Sequence, residues 1–355
     1  MAIVFDEKNN KFQGIGLYDP DSPIRIKMLS IENGTKIDKS WLSERIAIAY
    51  AKRQQLLESD VNGYRLLFGE NDGFPSLICD VYAQIAVIKI YSRIWLPFLE
   101  DIKEAIVATT ECKTMVLRLS RNVQKLSLPE GIEEGAIIYG TLSTPEIIFT
   151  EYDVQFSVNV IKGHKTGFFL DHRDNRHQIQ KMAKGKKVLD VFSYAGGFAI
   201  HALKGGATNV TAVDISKHAL SVAQDNAKLN GVTLETINGD AFAILTKMVA
   251  QNERFDIIII DPPAFAKAQS EIEKALHHYR RLATLGIKLI KKDGTLLLAS
   301  CSSRITTDDF FETVGAGMDS TGMPYEQTRK AFHDIDHPIS FSEGAYLKCG
   351  YYKRL

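Results

Sequence analysis

The chain has 355 residues, with 43 basic and 43 acidic side chains, so its formal net charge is zero. Hydrophobic residues make up 45% and charged residues 24%, both near the globular average. These values exclude a disordered chain, a collagen-like chain and a strongly basic nucleic-acid coat, although a neutral sum leaves room for a local basic face. The length predicts about two to three domains.

The four cysteines are scattered and form no CxxC pair: Cys79, Cys112, Cys301 and Cys349. This usage is typical of a reduced cytosolic protein with free thiols, and we expect no metal site. The start, MAIVFDEKNN, lacks the basic segment and apolar run of a secretory signal. The apolar run in FDIIIIDPP is far shorter than the roughly 20 residues of a membrane span. We therefore expect a soluble, cytoplasmic protein with no membrane partner.

Residues 1–155 predict two units before the chain changes character. In residues 1–60, VFDEKNNKFQGIGLYDPDSPIRIKMLS predicts short strands, and KSWLSERIAIAYAKRQQLL predicts a helix with Ser40 as its N-cap. In residues 61–155, NGYRLLFGENDGFPSLICDVYAQIAVIKIYS predicts strands and LPFLEDIKEAIVATT predicts a helix. Strands then follow at TMVLRLS, AIIYG and IIFTEYDVQFSVNV, which makes this second unit a central α+β domain.

Residues 156–355 alternate apolar strands with amphipathic helices. The predicted strands are KKVLDVFS, NVTAVDIS, TLETINGD, FDIIIIDPP and GTLLLASCS. The predicted helices are GGFAIHALKGG, KHALSVAQDNAKLNG, AFAILTKMVAQ and EKALHHYRRLATLGIKLIKK. Such alternation predicts an α/β fold whose parallel sheet carries helices on both faces. Ligands of such sheets bind at the carboxyl ends of the strands, near the topological switch point.

Three acids close three successive predicted strands: Asp190, Asp214 and Asp240. Asp214 stands where an acid meets ribose hydroxyls, and we expect Asp240 to meet an adenine amino group. The adjacent Gly196 and Gly197 leave room for close backbone approach but do not form the GxGxxG of a pyrophosphate-binding turn. Acids without a phosphate loop fit a cofactor that carries adenosine but no phosphates, and S-adenosylmethionine is that cofactor.

The next two strand ends carry candidate catalytic groups. After the fourth strand, Pro262 and Pro263 stiffen the backbone behind Asp261, and Phe265 would stack on a planar ring. The fifth strand ends at Cys301 among polar neighbours. A cysteine placed there is a candidate nucleophile, with the thiolate as the reactive form.

The segment KTGFFLDHRDNR mixes charges with two adjacent aromatic residues ahead of the first strand. We expect Asp171, Arg173 and Arg176 to hold the amino-acid end of the cofactor. If RNA is the substrate, the neutral total charge predicts modest, salt-sensitive affinity. Candidate contacts to the RNA backbone are Arg25, Lys27, Lys52, Arg53, Lys162, Lys165 and Arg173.

At these motifs the chain resembles a known family. KTGFFLDHRDNR, VLDVFSYAGGF, VDIS, NGDAF, DPPAF and SCSSR follow the order and spacing of bacterial 23S ribosomal RNA cytosine-C5 methyltransferases of the RlmI type. That family joins a PUA domain, a central α/β domain and a class I methyltransferase domain. RLLFGENDGFPSLICDVY is similar to its central-domain signature, DHPISFSEGAYLK to its C-terminal end, and FQGIGLYDPDSPIRIKMLS to the latter half of its PUA domain. The chain departs from the family in MVLRLSRNVQK, which lacks the usual acidic segment.

The resemblance implies a Rossmann-like, seven-stranded, mostly parallel methyltransferase sheet in residues 156–355. A small α+β domain (61–155) and a short, partial PUA-like β unit with a linker helix (1–60) would precede it. It also implies S-adenosylmethionine as cofactor and S-adenosylhomocysteine as product. The implied cofactor-binding residues are Lys165, Thr166, Phe168, Asp171, Arg173, Arg176, Asp190, Phe192, Ser193, Tyr194, Ala195, Gly196, Gly197, Asp214, Ile215, Ser216, Asp240, Ala241, Asp261, Pro262 and Pro263.

The resemblance further implies covalent catalysis, because cytosine C5 is a poor nucleophile. Cys301 would attack C6, Asp261 would bond the ring near N3, and Phe265 would stack on an unpaired or flipped base. The base that removes the C5 proton is not identified. The implied partner is 23S ribosomal RNA before full subunit assembly, and the implied assembly is a homodimer.

Three alternatives remain open. A nitrogen-directed guanine methyltransferase would use a DPP-aromatic loop without a nucleophilic cysteine. A nicotinamide-dependent oxidoreductase would share the layered fold, but the glycine pattern disfavours it. A non-catalytic RNA-binding protein would bind RNA without methyl transfer.

Overall fold

The computed structural model describes residues 1–355, which divide into a first unit of residues 1–170 and 335–340 and a second unit of residues 171–334 and 341–355. The finer division at residues 60 and 155 stays a prediction about independent folding.

The first unit holds three small sheets. An antiparallel sheet is formed by β1 (Ala2–Phe5), β2 (Phe12–Tyr18) and β3 (Ile26–Ser30). Two helices follow, α1 (Lys39–Ala51) and α2 (Gln54–Leu57). A five-stranded sheet comprises β4 (Gly63–Phe68), β5 (Leu77–Tyr82), β6 (Ile85–Ile90), β7 (Thr114–Leu119) and β8 (Ile137–Tyr139). Helix α3 (Leu99–Thr110) connects the parallel pair β6 and β7, and β9 (Glu146–Glu151) with β10 (Val154–Asn159) forms a hairpin.

One apolar core runs through this unit. Ile15 of β2, Leu42 of α1 and Leu66 of β4 belong to the same buried cluster. The linker helix was predicted, but its N-cap was not: the Asp38 carboxylate accepts from the Trp41 backbone N–H at 3.1 Å. Ser40 lies inside the first turn, so the prediction of a Ser40 cap is wrong. A carboxylate satisfies the same unpaired N–H groups as a serine hydroxyl.

Arg53 lies between α1 and α2, is fully buried and forms an ion pair with Asp72. Its five N–H groups are all used, because it also donates to the backbone oxygens of Arg65, Ala49 and Asp336. The expectation that Arg53 holds an RNA phosphate is therefore wrong.

The second unit carries the seven-stranded sheet. Its elements are α4 (Arg173–Met182), β11 (Lys187–Val191), α5 (Gly197–Lys204), β12 (Asn209–Asp214), α6 (Lys217–Leu229), β13 (Glu235–Asn238), α7 (Ala241–Ala250), β14 (Phe255–Ile260), α8 (Ile272–Leu289), β15 (Ile290–Ser300), α9 (Thr307–Asp319), β16 (Tyr325–Ala331) and β17 (Lys348–Arg354). The strand order is β13-β12-β11-β14-β15-β17-β16, with β17 antiparallel to both neighbours.

This topology confirms the predicted seven-stranded, mostly parallel sheet and its five named strands. β11 and β14 pair in parallel. The strand order changes direction between β11 and β14: β12 and β13 lie to one side of β11, and β14 and β15 lie to the other. That reversal is the topological switch point, where such sheets bind ligands. No helix is both long and apolar enough to cross a membrane. All four cysteines are free thiols, as predicted, and Cys301 is the partly exposed one.

Candidate active site

The turn after β11 has an unusual backbone. Phe192, Tyr194 and Gly196 adopt left-handed conformations with φ of 64°, 48° and 79°. Side-chain-bearing residues rarely occupy this region, and such strain clusters at functional sites. A Cβ on Gly196 would lie 3.0 Å from the Cβ of Ala223 in α6. Gly196 is therefore needed for its φ and for close helix packing, and the close approach of a ligand that we expect there stays a prediction.

The acids at the ends of β11, β12 and β14 lie close enough to influence one another. Asp214 accepts backbone N–H groups from Tyr194 at 2.9 Å and Ser216 at 2.8 Å, so it shapes the turn itself. Each oxygen keeps a second lone pair that can accept from a ligand hydroxyl. Asp214 and Asp261 also raise the pKa of Asp190 through their charge.

Asp190 is 1% exposed, and its carboxylate accepts the Ala199 N–H at 3.0 Å. Burial is the main cause that raises its pKa, to about 8. Asp190 therefore holds a proton at neutral pH and ties β11 to helix α5. Asp190 therefore supports the turn, and the cofactor contact expected for it stays a prediction.

At the next strand end, Asp240 is exposed and caps α7, with one oxygen accepting from the Ala243 N–H at 2.9 Å. Ile215 directly follows β12 and is 74% exposed, so its side chain is accessible to a ligand at this strand end. Ser216 caps α6, and Ala241 is buried at the start of α7.

The residues present fit an adenosine-containing cofactor. The Ser193 hydroxyl is buried in the strained turn and has no hydrogen-bond partner. An unpaired buried hydroxyl costs free energy unless a ligand satisfies it. The carboxylates of Asp214 and Asp240 lie at neighbouring strand ends of the same sheet. The assignment of the individual cofactor contacts stays a proposal.

Asp261 follows β14 and faces a buried histidine. His172 Nε2 lies 3.4 Å from Asp261 Oδ1. On its other side, the amide of Asn175 lies 3.1 Å from His172 Nδ1, and Tyr351 donates to Asn175 at 2.8 Å. An amide N–H that donates to Nδ1 leaves the imidazole proton on Nε2, pointing toward Asp261. Burial lowers the pKa of His172, but the charges of Asp261 and Asp171 outweigh it and the net pKa is raised.

Cys301 directly follows β15 and lies against the segment after β14. Its Sγ is 3.7 Å from the carbonyl oxygen of Pro262. The next residue, Ser302, donates to the Ala266 carbonyl at 2.8 Å. Ser300 pairs with the hydroxyl of Tyr279 at 2.8 Å. The segments that carry the candidate nucleophile and the DPP motif are therefore held together by hydrogen bonds.

Phe265 lies in an aromatic cluster. Its ring centroid is 5.1 Å from His278, 5.2 Å from Tyr279 and 6.5 Å from both Phe192 and Phe242. The ring is half-buried. These contacts fix the ring beside the strained turn and α8, and stacking on a substrate base stays a prediction.

The charged segment 165–176 has mainly packing roles. Thr166 is fully buried and hydrogen-bonded to Asp80, and Phe168 packs on Phe149 and Phe156. Arg173 is 0% exposed and ion-paired with Asp334 at 2.9 Å. These three side chains are buried and contact other protein groups, and the cofactor contacts expected for them, with the RNA contact expected for Arg173, stay predictions.

The rest of that segment is more varied. Lys165 is exposed and lies over the Phe169 ring. Asp171 accepts from the Tyr346 hydroxyl at 2.7 Å. Arg176 is buried, and its charge lowers the pKa of both His172 and Asp190, which places it beside the strand ends.

The candidate site contains two residues, His172 and Lys348, that sequence reasoning missed. His172 belongs to the charged segment KTGFFLDHRDNR, but the sequence pattern assigned it no role of its own. Lys348 opens β17 and is followed by the uncharged run CGYY, and that contrast was the available signal. A surface groove lined by Lys187, Thr211 and Glu235 lies at the amino ends of the strands, away from all of these groups.

Comparison with known proteins identifies the chain's relatives. The family model of S-adenosylmethionine-dependent methyltransferases matches residues 136–339. The chain is 37% identical to a ribosomal RNA large subunit methyltransferase of Deinococcus radiodurans, over 98% of this chain and 87% of that protein. It is 32% identical to ribosomal RNA large subunit methyltransferase I of Vibrio vulnificus, over 96% and 87%. A crystal structure described as a methyltransferase complexed with S-adenosylhomocysteine superposes with a TM-score of 0.84 at 20% identity, over 98% and 90%, which shows likeness of fold alone.

Proposed function

Since the chain belongs to the S-adenosylmethionine-dependent methyltransferase family, we propose that it forms 5-methylcytosine in large-subunit ribosomal RNA through a covalent bond between Cys301 and the base. The relatives from Deinococcus radiodurans and Vibrio vulnificus carry names that support large-subunit ribosomal RNA as the substrate. The proposed setting is the cytoplasm. Methylation before full subunit assembly and a homodimeric state stay predictions.

The observation that carries the proposal is the position of the Cys301 thiol. It is partly exposed and lies 3.7 Å from the Pro262 carbonyl, directly beside the motif expected to hold the base. The other three cysteines are buried. A nitrogen-directed methyltransferase needs no thiol at this place.

Methyl transfer is proposed to begin with formation of the Cys301 thiolate. The Cys301 thiol loses its proton to solvent, and the thiolate sulfur forms a bond to C6 of cytosine. The C5–C6 π electrons move into the ring and make C5 nucleophilic. S-adenosylmethionine, when bound, supplies the methyl group that C5 takes. Transfer of the C5 proton to water then restores the C5–C6 double bond as the S–C6 bond breaks and the thiolate leaves, and S-adenosylhomocysteine is the other product.

The chain's own groups orient the base during these steps. Asp261 is half-exposed, so its carboxyl can reach the N3 edge of a flipped base while His172 holds it from behind. Phe265, held by its aromatic neighbours, is proposed to pack against the ring. Of the residues expected to bind the RNA backbone, Arg25, Lys27, Lys52, Lys162 and Lys165 retain exposed or half-exposed side chains.

The test is nucleoside analysis of ribosomal RNA incubated with the protein and S-adenosylmethionine. Wild type and Cys112→Ala, a matched control at a buried cysteine of the first unit, are expected to form 5-methylcytidine. Cys301→Ala is expected to form none. Full methyl transfer by Cys301→Ala, with methylguanosine as product, would replace the proposal with nitrogen methylation.

A further inference from the structure

Lys348 opens β17 and pairs in register with Ser300, the last residue of β15. Its side chain is almost fully buried at 1% exposure. The ammonium donates to three backbone carbonyls: Ser302 at 2.8 Å, Ile305 at 2.6 Å and Tyr346 at 3.1 Å. All three of its N–H groups are thereby used. Lys348 thus fixes the segment that begins with Cys301.

This buried positive charge has only neutral oxygens as direct partners. Burying a charge without a counter-ion is costly. Burial accordingly lowers the pKa of Lys348 to about 8, and the charge of Cys301 acts in the opposite direction. Because electrostatic interaction is mutual, an ammonium that a thiolate stabilises also stabilises that thiolate.

Tyr279 and Asp261 also lie near Cys301, and neither supplies a positive charge. Tyr279 of α8 remains a neutral phenol, since burial raises its pKa far above neutrality. Asp261, in the segment after β14, carries negative charge that opposes a thiolate, and its imidazole partner His172 is already engaged with it. Lys348 of β17, whose ammonium binds the carbonyl of the residue next to Cys301, does supply a positive charge.

We propose that Lys348 is a positioning residue for Cys301, holding the nucleophile's segment in place and favouring its thiolate by the charge of a buried ammonium. The inference rests on the proposed function, in which Cys301 is the nucleophile. The ammonium keeps its three hydrogens throughout, and the thiol proton leaves to solvent.

The test is the pH profile of Cys301 alkylation by iodoacetamide, followed by peptide mass spectrometry on the whole protein without RNA or cofactor. In wild type, the midpoint is expected below the value of about 8.5 of an ordinary cysteine. Lys348→Met and Lys348→Gln are expected to raise the midpoint by about one pH unit, a tenfold loss of thiolate near neutrality. The glutamine variant keeps donor groups without charge, so it separates charge from hydrogen bonding.

Lys353→Met is the matched control, because Lys353 lies on the same strand in a half-exposed pair with Asp293. Its profile is expected to match wild type. A wild-type midpoint at or above about 8.5 would overturn the inference, whether or not the variants fold. An unchanged midpoint in folded Lys348→Gln would also overturn it. Methyl transfer by Cys301→Ala would instead defeat the proposed function, and the alkylation profile would still decide the part played by Lys348.

Discussion

His172 and Asp261 face each other at 3.4 Å, although they lie on opposite sides of β11 in the sequence. The histidine precedes α4 and the aspartate follows β14, so the parallel sheet brings them together at its carboxyl edge. Asn175 and Tyr351 fix the imidazole from behind. The pair orients the carboxyl that is proposed to meet the substrate base.

Replacing His172 is expected to slow methyl transfer. His172→Gln should lower kcat about tenfold to a hundredfold, because loss of the imidazole that faces the Asp261 carboxylate at 3.4 Å should raise the barrier by about 1.4–2.8 kcal/mol. The raised pKa of His172 means that its charged form contributes most below the ordinary histidine value and fades as pH rises through the raised value. The ratio of wild-type to variant kcat should therefore fall with rising pH. His277→Gln, at an exposed histidine, is the control, and a ratio that does not vary with pH would contradict the assignment.

Asp190 gives a stability prediction. The folded state keeps its proton up to a pKa of about 8, whereas the unfolded carboxyl loses it near 3.8. The unfolded state thus binds fewer protons between these values, and the Asp190 contribution to the free energy of unfolding falls as pH rises. From pH 5 to 7.5 the wild type should lose on the order of 3 kcal/mol relative to Asp190→Asn. Hydrogen exchange of β11 and α5 measures this, and a constant difference between the two proteins would refute it.

The buried ion pair of the first unit predicts a large mutational effect. Arg53→Met leaves the Asp72 carboxylate buried and uncompensated, which should cost about 3–5 kcal/mol of stability. Lys52→Met is the control, since Lys52 meets the same carboxylate but is 45% exposed, and it should cost less than about 1 kcal/mol. Tryptophan fluorescence during urea unfolding is the measurement, because Trp41 and Trp95 both lie in the first unit. An equal loss of unfolding free energy in the two variants would show that the buried Arg53–Asp72 ion pair stabilises the protein no more than the exposed Lys52 contact does.

A substitution at Gly196 is expected to introduce two kinds of strain, one in the left-handed backbone and one in the packing against α6. Gly231→Ala introduces only a left-handed alanine, since its Cβ would meet open space, and should cost about 1–2 kcal/mol. Gly196→Ala adds a contact at 3.0 Å with Ala223 and should cost about 1–3 kcal/mol more. Thermal unfolding and calorimetric titration with S-adenosylhomocysteine measure both effects. The affinity for S-adenosylhomocysteine should fall in Gly196→Ala and stay unchanged in Gly231→Ala. An equal fall in both variants would contradict a role of the turn after β11 in cofactor binding.

The positions of the strand-end acids were predictable because strand and helix periodicity define a parallel sheet, and parallel strands end at one edge. The roles of these acids were less predictable than their positions. Asp190 follows the same local pattern as Asp214, but the structure buries it under α5. Arg173 and Arg53 appeared to be free charges, because buried partners such as Asp334 and Asp72 come from distant segments.

Lys348 and His172 escaped prediction for the same reason. The role of Lys348 depends on the antiparallel pairing of β17 with β15, and no local pattern specifies that register. Side-chain networks that join elements far apart in sequence need the packed structure to reveal them.

A covalent adduct between Cys301 and the substrate base would be the immediate product of the proposed attack on C6. Wild type and Cys301→Ala would be incubated with 5-fluorocytidine-substituted ribosomal RNA and S-adenosylmethionine and then run on denaturing gels. Fluorine at C5 blocks the final elimination, so the bond between Cys301 and C6 should persist. An RNA-shifted band is expected in wild type and is expected to be absent from Cys301→Ala. No shifted band in wild type, with methyl transfer still detected on unmodified RNA, would contradict the covalent mechanism.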